Sequence, residues 1–444
     1  MLERSTLAAT RVVSNSARIT GGGLGAYSGS HAFDCIVAGN TASNAAGGCV
    51  VWQDASLTRC AIAQNHSIEM AAVWVLSNGC LSGCSVVSNH SAGGAVYFSS
   101  GAGGVATNCH IAWNSGRHSG GICLNQHGNV SDSIVEYNCS THYGGGGALL
   151  MQGGALHTSI IRNNNATGQY GKGGGVECFG GGLIVHCTII ANHAEALDET
   201  GQGGGVYMYA GGMVSSSYIC GNSVGGNTRG GLGGGVCMRD GGIVTHSLVC
   251  ANQAMPSYDS ADSARGGGVF VAGGGAIDNC LIVSNRAEHR SSFGGGVCSP
   301  DSSLVAANCT IVANYARDEG GGVDGGKVRN SIAYANTSLV AEHPNHRNAS
   351  FQYSCTYPLP GGPGNVSNAP LFMADYHLAP GSPCIDAGTN AYVTWDIDLA
   401  GMPRIINGVV DMGCYEYVPE PLTCITGLLL CACRLRCVMY QGRP

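Results

Sequence analysis

The sequence predicts an all-β chain, a right-handed parallel β-helix solenoid of roughly 12 coils followed by a C-terminal capping module. Three observations carry this expectation. A glycine-led block recurs along the chain, an asparagine closes each block at a fixed distance, and the length differences gather at one corner. The block is plainest in "GGGVYMYAGGMVSSSYICGN" (203–222) and "GGGVCMRDGGIVTHSLVCAN" (233–252), where the glycines and the last asparagine persist while most other side chains change.

The pattern Ile/Val-x-x-Asn places the recurring residue at Asn15, Asn40, Asn65, Asn89, Asn114, Asn138, Asn163, Asn192, Asn222, Asn252, Asn285, Asn314 and Asn336. Four consecutive repeats keep 19 residues from the first glycine of Gly-Gly-Gly-Val to the next asparagine, so the insertions fall between asparagine and glycines. A constant block with one variable corner is the mark of a solenoid whose insertions project from one face.

Period two then assigns a strand before each asparagine. Three residues ahead stand Val12, Val37, Ile62, Val86, Ile111, Val135, Ile160, Ile189, Ile219, Val249, Ile282 and Ile311, which suit a buried strand position. Two residues earlier, on the same face, the column holds small residues such as Cys35, Cys60, Cys84, Cys109, Thr158, Ser217 and Cys309. One such coil cannot bury its strands alone. Stacked in register about 4.8 Å apart, the coils set valine on isoleucine and asparagine on asparagine. The glycines allow a tight corner and close backbone approach.

Composition agrees. Charged residues are 11% of the chain and 73 of 444 residues are glycine, but 44% hydrophobic content argues against disorder. Clustered glycines exclude collagen, and a net charge of −7 without a basic patch argues against a nucleic-acid partner.

"GGGV" followed by "CTIVAN" resembles the repeat of the polymorphic outer-membrane and autotransporter-type β-helix proteins of bacteria. The resemblance covers most of residues 1–340 and implies a secreted or surface-displayed protein, extracellular or on the bacterial envelope. Thr10, Val12 and Asn15 are already in register and no secretion leader precedes them, so a truncated start is expected. Residues 341–417, with "YHLAPGSPCIDAG" and "DMGCYEY", resemble the choice-of-anchor Q module, which implies a cap over the last coil. Residues 418–444 resemble a PEP-CTERM sorting tail through Val418, Pro419, Glu420 and Pro421, an apolar run, and Arg434, which implies envelope sorting machinery as a partner. The run from Leu422 to Cys433 has 12 residues, short of the ~20 that span a bilayer as a helix.

Candidate chemistry is sparse. The 23 cysteines read mainly as small packing residues, with Cys384 and Cys414 the best disulfide candidates. His157, His186 and His246 share a column with Asn279, Asn308 and Asn330, read as a polar solvated row. Asp240 and Asp301 are the weak candidates for a catalytic carboxylate pair, two coils apart. No metal site or cofactor is expected, with one alternative: Ca²⁺ held by Asp386, Asp396, Asp398 and Asp411. The insertions from 164 to 293 carry the binding candidates Tyr170, Tyr258, Arg265, Arg290 and Phe293, residue types that anchor interfaces. The leading expectation is adhesion or passive display without catalysis, with glycans or cell-surface components as partners. The alternatives are a polysaccharide lyase or glycoside hydrolase acting on an acidic polysaccharide, and a purely structural envelope component.

Overall fold

The computed structural model describes residues 1–419 except 20, 100, 102, 198, 227–228, 256–263, 290 and 341. One coil contains four short strands, for example Val206–Tyr209, Met213–Ser215, Tyr218–Cys220 and Ser223–Gly226. Repeated in register, these make a parallel β-helix with sheets of 14, 14, 14 and 13 strands. The helix therefore has about 13 turns and passes the expected boundary at 340. Strands His346–Arg347, Ser350–Gln352 and Cys355–Thr356 extend the first three sheets.

The asparagines form a continuous side-chain ladder. Asn222 Nδ2 donates to Ile189 O in the coil before and to Asn252 Oδ1 in the coil after, both at 2.9 Å. Its backbone N–H also donates to Asn252 Oδ1 at 2.9 Å. Each amide thus gives two hydrogen bonds and accepts two, so a fully buried polar group is left with no unmet need. The ladder ends on Asn345, whose Oδ1 accepts from the backbone N–H of Asn336 at 2.9 Å.

One repeat sits a residue away from its expected register. Asn164, not Asn163, occupies the ladder, accepting from Asn138 and donating to Asn192 at 3.0 Å. Ile161 accordingly replaces Ile160 in the core, and Ser159 replaces Thr158 among the buried small residues. The run Asn163–Asn164–Asn165 allows either alignment. Asn163 instead takes the left-handed corner (φ 52°), the conformation of Ala191, Ala251 and Ala313 in later coils, and asparagine tolerates it well. The shift also separates His157 from the His186 column, because His157 pairs with Val185.

The glycine triplet follows from the ladder. A Cβ on Gly204 would lie 2.3 Å from Ser223 O and 2.5 Å from Gly234 O, and one on Gly205 would lie 2.7 Å from Gly235 O. The chain passes so close to the next coil and to Asn222 that no side chain fits. The small column is polar as well as small. Ser217 Oγ donates to Ser215 O at 2.7 Å and accepts from the backbone N–H of Cys187 at 3.1 Å. Cys187 Sγ makes the equivalent bond to Val185 O at 3.4 Å, which is why thiol and hydroxyl interchange there.

The C-terminal segment runs back along the flank of the helix instead of covering only its last coil. Asn279 donates to Ile397 O at 3.0 Å, Asn308 to Tyr392 O at 3.1 Å and Asn330 to Thr389 O at 2.8 Å. Trp395 meets the His246 ring edge-on at 5.1 Å. The His246–Asn279–Asn308–Asn330 column, expected to be solvated, is therefore the rail on which this segment docks. Cys384 and Cys414 are both free and buried; Cys384 packs with Cys355 and Cys414 with a separate cluster around Val312. These two disulfide candidates are not bonded to each other.

Within the segment, Arg404 is 1% exposed and donates to Glu416 Oε1 at 2.8 Å and to Gly413 O at 2.5 Å. Asp398 accepts from the backbone N–H groups of Ala400, Met402 and Glu416, each at 2.8 Å. Asp411 accepts from those of Asp386 and Tyr417. Asp396 contributes its backbone carbonyl, which accepts from Arg404 N. Among the described residues no three His, Cys, Asp or Glu side chains converge to hold a metal.

The ladder predicts a local stability cost. Asn222→Leu strands the backbone N–H and Nδ2 of Asn192, Ile189 O and one acceptor site on Asn252. It should destabilise the chain by about 1 to 3 kcal/mol for each buried group left unpaired. Thermal and urea unfolding measure this; an unchanged midpoint would refute the ladder's role.

Candidate ligand groove

The insertion loops, although unlike in sequence, align into a wall. Lys172 bridges Gln202, which pairs with Leu232; the row continues through Arg265 and Phe293 to Glu319. Thr200–Gln202 and Arg229–Leu232 form a separate two-stranded parallel sheet in it. In-register coils leave such loops no choice but to stack.

The wall faces the outer side of the first sheet. There Leu149, Glu177, Tyr207, Cys237, Phe270, Cys298 and Asp324 follow one another in register. Its middle closes over that column, burying Tyr207, Leu232, Cys237 and Phe270 together. At its first member, Lys172, the wall stops, because the preceding coil has a short loop. A groove of 330 Å³ opens at this step. Tyr143, Tyr170 and Lys172 line the loop side, Leu149 and Glu177 the floor, and Met151 and Phe179 the strand-end side.

The rim is aromatic. His118, Tyr143 and Tyr170 stack at centroid distances of 5.3 and 5.2 Å, and Phe179 stacks on Tyr209 at 5.3 Å. Tyr143 is 43% and Phe179 46% exposed, so large apolar surface faces the solvent on both sides.

The floor is charged in an unusual way. Glu177 is 7% exposed and its Oε2 has no hydrogen-bond partner. Burial pushes its carboxyl up to about 7, against the pull of the Lys172 charge and the Gly145 N–H. Lys172 Nζ lies 5.5 Å from the Tyr170 ring centre and 5.6 Å from that of Tyr207, a double cation–π contact. Gly144 leaves room for the carboxyl: at φ +48°, a Cβ there would stand 2.7 Å from Glu177 Oε2.

Of the residues expected to bind, Tyr170 is in the groove. Arg265 and Phe293 are in the wall, with the Arg347 guanidinium 4.0 Å from the Phe293 ring centre. Tyr258 and Arg290 lie outside the described residues. Asp240 and Asp301 are far along the chain from the groove residues and separated from each other by the coil of Gly273. Asp301 accepts from Gly273 N and Ser303 Oγ, each at 2.7 Å, and these bonds outweigh burial to hold its carboxyl below the usual range. It acts as a turn cap. Val418 and Pro419 close the described chain; Glu420, Pro421 and Arg434 lie outside it.

The repeat pattern does not single out Glu177, Lys172, Tyr143 or Phe179. A signal existed: "GGGVECFG" carries an acid where "GGGVYMY", "GGGVCMR" and "GGGVFVA" carry apolar or aromatic residues. "GGGVDGG" carries another, Asp324, but Arg347 stands 3.9 Å from it.

No family model matches the chain, and no curated protein matches it. Among solved structures it is similar to the pectate lyase Pel9A, at 12% identity and a TM-score of 0.34, over 94% of this chain and 98% of that one. It is also similar to the TibC-catalysed hyper-glycosylated TibA fragment, at 13% identity and a TM-score of 0.27, over 82% of this chain and 98% of that one.

Glu177 gives a pH-dependent stability. Its folded carboxyl ionises near 7 and its unfolded one near the usual 4.5. The stabilisation is thus fully present below 4.5 and lost as pH rises through about 7. At ~1.36 kcal/mol per pH unit the loss is on the order of 3 kcal/mol at most. Glu177→Gln should therefore be more stable than the parent at pH 8 relative to their difference at pH 4, by calorimetry at both. A difference independent of pH would contradict a carboxyl whose ionisation is raised by burial.

Proposed function

We propose that this chain is a surface-displayed bacterial β-helical protein that binds glycans in the groove beside Lys172 and does not turn them over. The observation that carries this reading is the combination, in one open groove, of exposed aromatic rings with a buried carboxyl whose Oε2 has no hydrogen-bond partner. Ring faces pack against the C–H faces of sugars, and a few fixed polar groups orient the ligand, the usual make-up of a small-molecule site. Display at the envelope is supported by the resemblance of the repeats and of residues 341–444 to bacterial surface and sorting modules.

One observation favours the enzyme alternative. A carboxyl near 7 suits a general acid at neutral pH. Glycoside hydrolysis by a carboxylate pair needs a second carboxyl about 5 to 9.5 Å away, and Glu177 is the only carboxylate among the described residues that line the groove. Binding is therefore the better-supported reading.

A glycan array with parallel product analysis tests it. The parent should bind a subset of glycans without releasing products. Tyr170→Ala with Phe179→Ala should weaken that binding about tenfold or more at an unchanged melting temperature. Full binding by the double variant would refute the groove. Product release abolished by Glu177→Gln would establish the enzyme alternative instead.

A further inference from the structure

We infer that the groove selects acidic glycans, with Lys172 and Glu177 together receiving the carboxylate of a uronic acid residue. The inference rests on the glycan-binding reading and adds the ligand's chemical class. It starts from what surrounds Glu177. The Lys172 ammonium and the Tyr170 ring face it from the wall, and Tyr143 and the Gly145 N–H from the preceding coil. Tyr207 stands beside it in the following coil, and the Cys123 and Cys178 thiols feel its charge. Only Lys172 in that set is cationic, and its ammonium is held over two tyrosine rings.

An isolated buried carboxylate costs several kcal/mol unless paired, so Glu177 keeps its proton and presents an O–H donor. The end of the groove then offers two donors, one of them charged, and a shielded Oε2 with nothing to bond. A neutral sugar can meet the donors only with uncharged hydroxyl, ether or carbonyl oxygens. A uronate brings two acceptor oxygens on one planar group and a full negative charge, so both bonds become charge-assisted. Tyr143, Tyr170 and Phe179 stay free to pack on the ring faces. Raising the pH ionises Glu177, removes one donor and places an anion against the ligand.

Isothermal titration with uronate tetramers (galacturonate, glucuronate and mannuronate) and their methyl esters decides the matter, because esterification removes the carboxylate charge and leaves the sugar ring unchanged. At pH 6 the parent should bind at least one acid tetramer about tenfold or more tightly than its ester, and its affinity should fall between pH 6 and pH 8. Lys172→Met should abolish the acid preference. Glu177→Gln, which keeps a donor, should retain the preference and lose the pH dependence. Equal affinity for acid and ester, or a preference for sulfated oligosaccharides over uronates, would overturn this inference and leave glycan binding standing. Failure of every acid and neutral glycan to bind would overturn both.

Discussion

Every ladder in this molecule takes its register from the asparagine row. From Asn40 to Asn336 each Oδ1 accepts a backbone N–H and a side-chain N–H from the coil before, and each Nδ2 reaches back to a core carbonyl, as Asn252 Nδ2 does to Ile219 O at 2.9 Å. A coil displaced by one residue would strand four buried polar groups at once. Asn252 also stands where the glycine triplet must pass, since a Cβ on Gly235 would lie 2.8 Å from its Nδ2. The asparagine and the glycines are thus two halves of one steric and hydrogen-bonding constraint. The buried Val and Ile columns fall into line behind it.

Register imposed on the coils is register imposed on the loops. Insertions of different length and composition still leave and return at equivalent points, and their returning ends pair into the row from Lys172 to Glu319. A binding surface can arise this way without any loop being specialised for it. The groove lies where loop length changes, at the step between the short Thr141–Gly144 connection and the first member of the wall. There the outward column of the first sheet is neither fully covered nor fully solvated. An acid at that point is held in a low-dielectric setting yet faces an opening, which raises its proton affinity.

How much of this is legible in the sequence follows the range of each interaction. The period, the core columns and the variable corner depend on neighbours one coil apart, and they show directly in the spacing of glycine and asparagine. The slip at Asn163 came from three consecutive asparagines, where side-chain type cannot tell a left-handed corner from a ladder position. The docking of His246 and Asn279 against Ile397 joins positions more than a hundred residues apart, which no local pattern reports. Glu177 is an intermediate case. Its place in an apolar column was readable, but its burial depends on Lys172 and Gly144, and so on the loop wall.

Recognition in the groove depends on a carboxyl that stays protonated near neutrality. Infrared difference spectra of the parent against Glu177→Gln, recorded across the pH range, observe that proton directly. A protonated-carboxyl band, absent from the variant, should disappear as pH rises through about 7. A band lost instead near pH 4.3, roughly where an exposed glutamate titrates, would contradict that protonation.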